Sequence, residues 1–193
     1  MTFKTHMNFM ACHDLLIMSH NKAAVTDFTR ADKPVVVVRI SDVGKEFKEL
    51  CLVNVLSEHR FFFDDETSGT NVMSRHHATE IIDVLHQACA IDCILAVHCW
   101  AGICRSASVG LAWSAINNDR ELWNHIIESK WHCPNSLVVE FLLDELRSRD
   151  MLPEWAVIDD VFKSIQTVHS DERWLEDRQE RDRWLLTGIR RKI

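Results

Sequence analysis

A cysteine and an arginine separated by five residues form the pattern in this sequence that is most suggestive of chemistry. Cys99 and Arg105 enclose the segment Trp100-Ala101-Gly102-Ile103-Cys104. The cysteine follows an apolar run at residues 94–97, and the arginine precedes a stretch of small and apolar side chains typical of a buried helix. This context predicts a strand, a tight loop and a helix, in that order.

A loop in that position has the properties of an anion site. Its successive backbone N–H groups turn inward, and the N-terminus of the following helix adds partial positive charge. We therefore expect the amides of residues 100–105 to hold a tetrahedral dianion, with Gly102 adopting a backbone conformation that a Cβ would obstruct. The planar guanidinium of Arg105 can grip two phosphate oxygens. The same donors favour the thiolate of Cys99, which makes this residue a nucleophile.

The simpler interpretation is a buried cysteine followed by an ordinary arginine at a helix start. That interpretation leaves the whole pattern to coincidence, because His98, Cys99, Gly102, Arg105 and Ser106 would meet at fixed offsets by chance with odds on the order of 10⁻⁴.

The segment from His98 to Ser106 resembles the signature HCxxGxxR, followed by Ser or Thr, of the cysteine-dependent protein tyrosine phosphatases. It is most similar to the compact tyrosine and dual-specificity phosphatases, including bacterial and phage-type members, and the resemblance covers about residues 8–152 in outline. It implies a phosphoric monoester hydrolase that acts on phosphotyrosine. By this resemblance, His98 holds the loop and tunes Cys99, whereas Ser106 hydrogen-bonds the sulfur and eases its departure.

The resemblance also implies an aspartic acid on an upstream loop, which protonates the leaving oxygen. General acid catalysis of this kind typically contributes about 10²- to 10⁴-fold. The acidic cluster Asp64-Asp65-Glu66 follows the apolar residues 61–63, and the F-x-D placement favours Asp65. Asp64 is the alternative if the register is shifted by one, and a solvated acidic turn is the alternative without chemistry.

Other functions are compatible with parts of this pattern. A module that recognises phosphorylated partners without hydrolysis, or a phosphatase of a non-protein phosphomonoester, would use the same loop, and rhodanese-like sulfur transfer would not need the aspartic acid. Zinc is disfavoured because the cysteines and histidines lack ligand spacing, so we expect neither a metal nor a cofactor. Cys104 either fills space or forms a reversible disulfide with Cys99.

The elements that must position these residues belong to an α/β fold with a small, mostly parallel sheet flanked by helices. Residues 35–38 and 94–97 are predicted strands, with further candidate strands at residues 52–56 and 61–63. Helices are predicted over residues 74–88, from a start within residues 105–108, from the cap at Pro134-Asn135-Ser136, and from a first turn containing Pro153. We predict a phosphatase domain at residues 1–152 and a helical extension at residues 153–193, in which residues 171–193 form a peripheral helix.

The charge and cysteine content of the chain bear on its binding partners and its location. The chain of 193 residues carries a net charge of −7, which disfavours broad attraction to nucleic acid or to an anionic membrane. Seven cysteines without CxxC spacing and an N-terminus without a signal-peptide pattern predict a reducing, cytoplasmic location. The resemblance to the tyrosine phosphatases implies that the partner is a phosphotyrosine-containing protein or a small phosphomonoester.

Overall fold

A four-stranded parallel sheet is the framework of the computed structural model, which describes residues 14–50, 53–129 and 131–170. The strands lie in the order β1-β4-β2-β3 and comprise β1 Leu15–Ser19, β2 Val35–Ser41, β3 Val55–Phe62 and β4 Ile94–Cys99. Parallel strands need crossover connections, and helices lie in two of them, from β1 to β2 and from β3 to β4. The predicted α/β class with a small parallel sheet is confirmed.

Helices flank this sheet. The described residues form α1 His20–Ala24, α2 Arg75–Cys89, α3 Arg105–Ile116, α4 Arg120–Glu128, α5 Ser136–Ser148 and α6 Ile158–Ser170, together with a short 3-10 helix at Phe28–Arg30. The predicted helix starts at Ser74 and Asn135 are confirmed. The Ser74 hydroxyl accepts a hydrogen bond from the backbone N–H of His77, and the Asn135 side chain accepts one from that of Val138.

The central strands β2 and β4 are buried along their whole length, so their side chains alternate between two covered faces. One face packs into the larger core with α2, α3 and α5, and Cys99 points to this side. The other face carries a smaller apolar cluster that includes Phe28 and Ala96. By alternation, His98 and Arg39 lie on this second face, and the β2–β4 register places them side by side.

Strand β3 differs from the prediction of two short strands at residues 52–56 and 61–63. A single strand, Val55–Phe62, runs through the intervening polar residues, and residues 51–52 lie outside the described part. The strand lies at the edge of the sheet, so most of its side chains are partly or fully exposed. Polar residues are compatible with such an edge strand, although they interrupt the apolar pattern.

The prediction that Pro153 lies in the first turn of a helix is wrong. The Pro153 carbonyl accepts a hydrogen bond from the Ala156 N–H at 3.0 Å, which closes a turn, and α6 begins only at Ile158. Helix α6 packs against α4 and α5, and its Ser164 hydroxyl donates to the Ile127 carbonyl at 2.6 Å. The boundary after residue 152 stays a prediction, and the helix predicted at residues 171–193 lies outside the described residues.

Candidate active site

The loop between β4 and α3 brings the predicted nucleophile and the predicted phosphate clamp to one end of the sheet. Cys99 is the last residue of β4 and Arg105 is the first residue of α3. Both side chains are buried. The Cys99 Sγ lies 3.2 Å from the Ser106 Oγ, within hydrogen-bond distance for sulfur. The strand, loop and helix expected from the sequence therefore lie in the order that an anion-binding loop requires.

Gly102 sets the path of this loop. Its φ of +73° lies in the left-handed region that glycine adopts without strain. A Cβ at this position would lie 2.5 Å from both the Met18 carbonyl carbon and the Ser19 backbone nitrogen. The loop thus packs directly on the junction between β1 and α1, at a distance that excludes any side chain.

The guanidinium of Arg105 is held by groups from two other strand ends. Its Nη1 donates to the Phe63 carbonyl at 2.6 Å and lies 2.7 Å from the Asp42 Oδ1. Its Nε is buried, makes no hydrogen bond within the described residues, and lies 3.7 Å from the Asp65 Oδ2. This N–H group is therefore a donor that a bound oxyanion can use.

The two neighbouring aspartates are placed differently. The Asp65 Oδ1 accepts a hydrogen bond from the Asn135 Nδ2 at 3.0 Å, and its carboxylate faces Arg105. Asp64 instead accepts from the Val43 backbone N–H at 3.0 Å, on the loop that follows β2. Of the two registers left open by the sequence, the geometry favours Asp65.

Asp65 and Arg105 line the same cavity, which has a volume of about 240 Å³. It is lined by Asp42, Asp65, Trp100, Ala101, Ile103, Cys104 and Arg105. Arg105 is the only cationic side chain among them, and the Trp100 side chain is half exposed. A group seated here would meet one guanidinium, two carboxylates and one aromatic wall.

His98 lies outside this cavity, on the opposite face of β4. Its Nε2 accepts a hydrogen bond from the Arg39 Nε at 3.0 Å. Burial lowers the pKa of His98 to about 3, and the positive charge of Arg39 acts in the same direction. The ring is therefore neutral at physiological pH.

Cys104 sits in the loop beside Ile103 and Cys133. Burial first, and then the negative charge of Asp65, raise the pKa of the Cys104 thiol far above its ordinary value. A thiol kept protonated is a poor nucleophile for disulfide exchange. The environment of Cys104 thus favours the space-filling interpretation over a protective disulfide.

Three residues of this region were missed in the sequence. Asp42 directly follows β2, Asn135 caps α5, and Arg39 lies within β2. The sequence held one general signal for Asp42. Proteins with parallel sheets bind their ligands beyond the carboxyl ends of the strands, and Asp42 lies at such an end. Asn135 was recognised only as a helix cap.

The described part of the chain holds neither a cluster of metal ligands nor a membrane-spanning helix. Among residues 14–50, 53–129 and 131–170, no group of three or more potential metal-ligating side chains converges. No helix in the same part of the chain has the length and apolar character needed to cross a bilayer.

Known structures share this architecture. The sequence matches no family model, and no curated protein is significantly similar to it. A mouse protein described as a dual specificity phosphatase, complexed with zinc tungstate, has 19% identity and a TM-score of 0.56, covering 73% of this chain and 89% of its own. The human tyrosine phosphatase-like serine/threonine/tyrosine-interacting protein has 14% identity and a TM-score of 0.55, covering 72% of this chain and 93% of its own. The chain has the fold of the dual specificity phosphatases.

Proposed function

We propose that this chain is a cysteine-dependent phosphatase that hydrolyses phosphotyrosine or a similar phosphomonoester through a cysteinyl-phosphate intermediate. The observation that carries the proposal is the meeting of two residues at one cavity: Asp65, on the segment after β3, and Arg105, at the end of the loop that begins at Cys99. The fold adds support, since the mouse neighbour is described as a dual specificity phosphatase and its ligand, tungstate, is a tetrahedral oxyanion like phosphate.

The first chemical step transfers the phosphoryl group to sulfur. The Cys99 thiolate attacks phosphorus while the bond from phosphorus to the leaving oxygen breaks, and Asp65 gives its proton to that oxygen. Arg105 and the loop amides stabilise the charge on the transferring oxygens. The hydrogen bond from Asn135 holds the Asp65 carboxyl beside the cavity during this step.

The second step returns the enzyme to its starting state. Asp65, now a carboxylate, takes a proton from water as the water oxygen attacks phosphorus and the bond from phosphorus to sulfur breaks. The Ser106 hydroxyl, 3.2 Å from the Cys99 Sγ, stabilises the departing thiolate. Inorganic phosphate then leaves, and neither step uses a metal or a cofactor.

The lining of the cavity suggests which esters are preferred. With Arg105 as the single cation and with Asp42 and Asp65 as anions, a substrate carrying several phosphates would meet repulsion. The half-exposed Trp100 offers a stacking surface to an aromatic leaving group. Both features favour a singly phosphorylated aryl ester, for which phosphotyrosine in a protein is the natural example.

Hydrolysis of p-nitrophenyl phosphate in the presence of EDTA tests the proposal. Wild-type protein should turn over, and Cys99→Ser should lose turnover while it still binds inorganic phosphate. Cys93→Ser is a matched control, because Cys93 is also buried, directly precedes β4, and has a thiol donor to the Ala88 carbonyl that a serine hydroxyl can replace. Absence of turnover in wild type, with binding of phosphotyrosine peptides retained, would identify a recognition module instead.

A further inference from the structure

A buried arginine on β2 lies beside the end of β4 and takes no part in the proposed reaction. Arg39 is 1% exposed. The β2–β4 register pairs it with His98, the residue before Cys99. Removing a guanidinium from water costs several kcal/mol of desolvation free energy. Its ion pairs and hydrogen bonds must offset this cost. The partners of Arg39 are therefore informative about its role.

Each of the three guanidinium nitrogens of Arg39 donates to a different partner. Nη1 pairs with the Glu58 carboxylate on β3, and Nη2 donates to the Lys48 carbonyl. The guanidinium also lies over the Phe47 ring, 4.6 Å from its centroid. These contacts fix the orientation of the third donor, Nε, which is directed at the His98 Nε2 at 3.0 Å.

This contact determines the protonation state of His98. Arginine does not lose its proton in proteins, so Nε must be the donor and Nε2 must be a bare acceptor. The ring proton is then on Nδ1, which is buried and has no hydrogen-bond partner in the described structure. Protonation of Nε2 would replace this hydrogen bond with repulsion between two cations, consistent with the low pKa of His98.

The other charged groups around the His98 ring do not change this assignment. His20, from α1, packs on it with 5.3 Å between the ring centroids, and its own Nε2 accepts from the Lys48 backbone N–H. Glu58 reaches the ring only through Arg39, and the Lys48 ammonium is turned toward Asn21. Asp42, Asp65 and Arg105 line the cavity beside the loop that follows Cys99, and in the described structure none of them contacts the His98 ring.

We propose that Arg39 is a positioning residue for Cys99, acting through His98, whose ring it locks in the neutral tautomer protonated at Nδ1. The lock fixes His98, the residue that precedes Cys99 in β4, so it constrains where the strand ends and the loop begins. The kinetic part of this inference rests on the proposed function, whereas the tautomer itself does not.

Nitrogen-15 NMR of the full chain with labelled histidine tests the lock. The His98 signals are assigned by their loss in His98→Gln. In wild type, Nδ1 should carry the proton and the signals should stay constant between about pH 5 and 8, the range in which an ordinary histidine titrates. In Arg39→Met, His98 should titrate in this range or change tautomer. A wild-type spectrum with the proton on Nε2, or one that titrates near pH 6.5, would overturn the proposal.

Kinetics provide the second arm. Arg39→Met should lower kcat for p-nitrophenyl phosphate on the order of tenfold with KM nearly unchanged, since misplacement of a reacting group slows the chemical step. The matched control is Arg60→Met, which removes the exposed arginine that also binds Glu58 but does not contact His98. If Arg39→Met does not fold, Arg39→Lys replaces it in both experiments. A variant of Arg39 that keeps the wild-type kcat and the wild-type His98 tautomer would refute the positioning role. Failure of wild-type turnover would refute the proposed function and leave the tautomer result interpretable.

Discussion

Substitution of Gly102 by alanine would introduce a single methyl group at the tightest contact of the active-site loop. The new Cβ would lie 2.5 Å from the carbonyl carbon of Met18 and 2.7 Å from its oxygen. These are backbone atoms where β1 meets α1, so they cannot rotate away as a flexible side chain could. Either the loop or the end of β1 must move.

The energetic effect can be worked from two terms. Holding alanine at a φ of +73° costs about 1–2 kcal/mol. Overpacking typically costs roughly 1–3 kcal/mol more. The cost at Gly102 should lie toward the upper end of this range, because the added Cβ would meet backbone atoms. The total of about 2–5 kcal/mol acts against the loop conformation that binds phosphate, and even 2 kcal/mol would weaken binding about thirtyfold.

Calorimetric titration with inorganic phosphate and kcat/KM for p-nitrophenyl phosphate are the assays. Gly102→Ala should weaken phosphate binding and lower kcat/KM by at least about thirtyfold. Gly44→Ala is the matched control, since Gly44 has a similar φ of +77° but nothing within 4 Å of the added Cβ. It should lose about 1 kcal/mol of stability and keep its activity. Phosphate binding by Gly102→Ala within twofold of wild type would refute the assigned role of the loop.

Three further predictions concern individual side chains. Asp65→Asn should lower kcat for phenyl phosphate by about 10²- to 10⁴-fold and Asp64→Asn only slightly, and similar losses in both variants would remove the assignment of the acid. His98 is neutral in the folded protein, but in the unfolded chain it gains a proton below about pH 6.5. The burial of a neutral His98 therefore lowers the free energy of unfolding only below that pH, where the unfolded state binds an extra proton. Urea titrations should therefore show wild type losing about 2 kcal/mol more than His98→Gln between about pH 7.5 and pH 5; equal losses would contradict a neutral His98. Trp100→Ala should lower kcat/KM for a phosphotyrosine peptide about three- to tenfold but spare phosphoserine, and equal effects on both would exclude stacking.

The strand, loop and helix around Cys99 could be predicted because their signals are local. A short apolar run, a glycine and a stretch typical of a buried helix follow one another in the sequence, and only five residues separate Cys99 from Arg105. The caps at Ser74 and Asn135 were predictable for the same reason, since a cap hydrogen bond spans three residues.

Residues that reach the site from distant segments were not predictable in this way. Arg39 ends an apolar run in the sequence, yet it continues β2 because Glu58 on the neighbouring strand neutralises it. Asp42 and Asn135 look like a strand end and a helix cap, and only tertiary packing gives them second roles beside Arg105 and Asp65.

Helix α4 was not predicted from the sequence, although the sequence contains a signal for its start. Asp119 caps it by accepting a hydrogen bond from the Leu122 N–H, and buried side chains follow at Leu122, Trp123 and Ile126. The helix has only nine residues, and short helices depend more on packing than on their own propensity.

The proposed mechanism requires that Cys99 becomes covalently phosphorylated during turnover. Rapid acid quench of the protein with p-nitrophenyl phosphate, followed by peptide mass spectrometry, tests it most directly. Wild type, and more strongly Asp65→Asn, should carry one phosphoryl group on the peptide that contains Cys99. Turnover without any phosphoryl group on that peptide, or with the group on another residue, would contradict the mechanism.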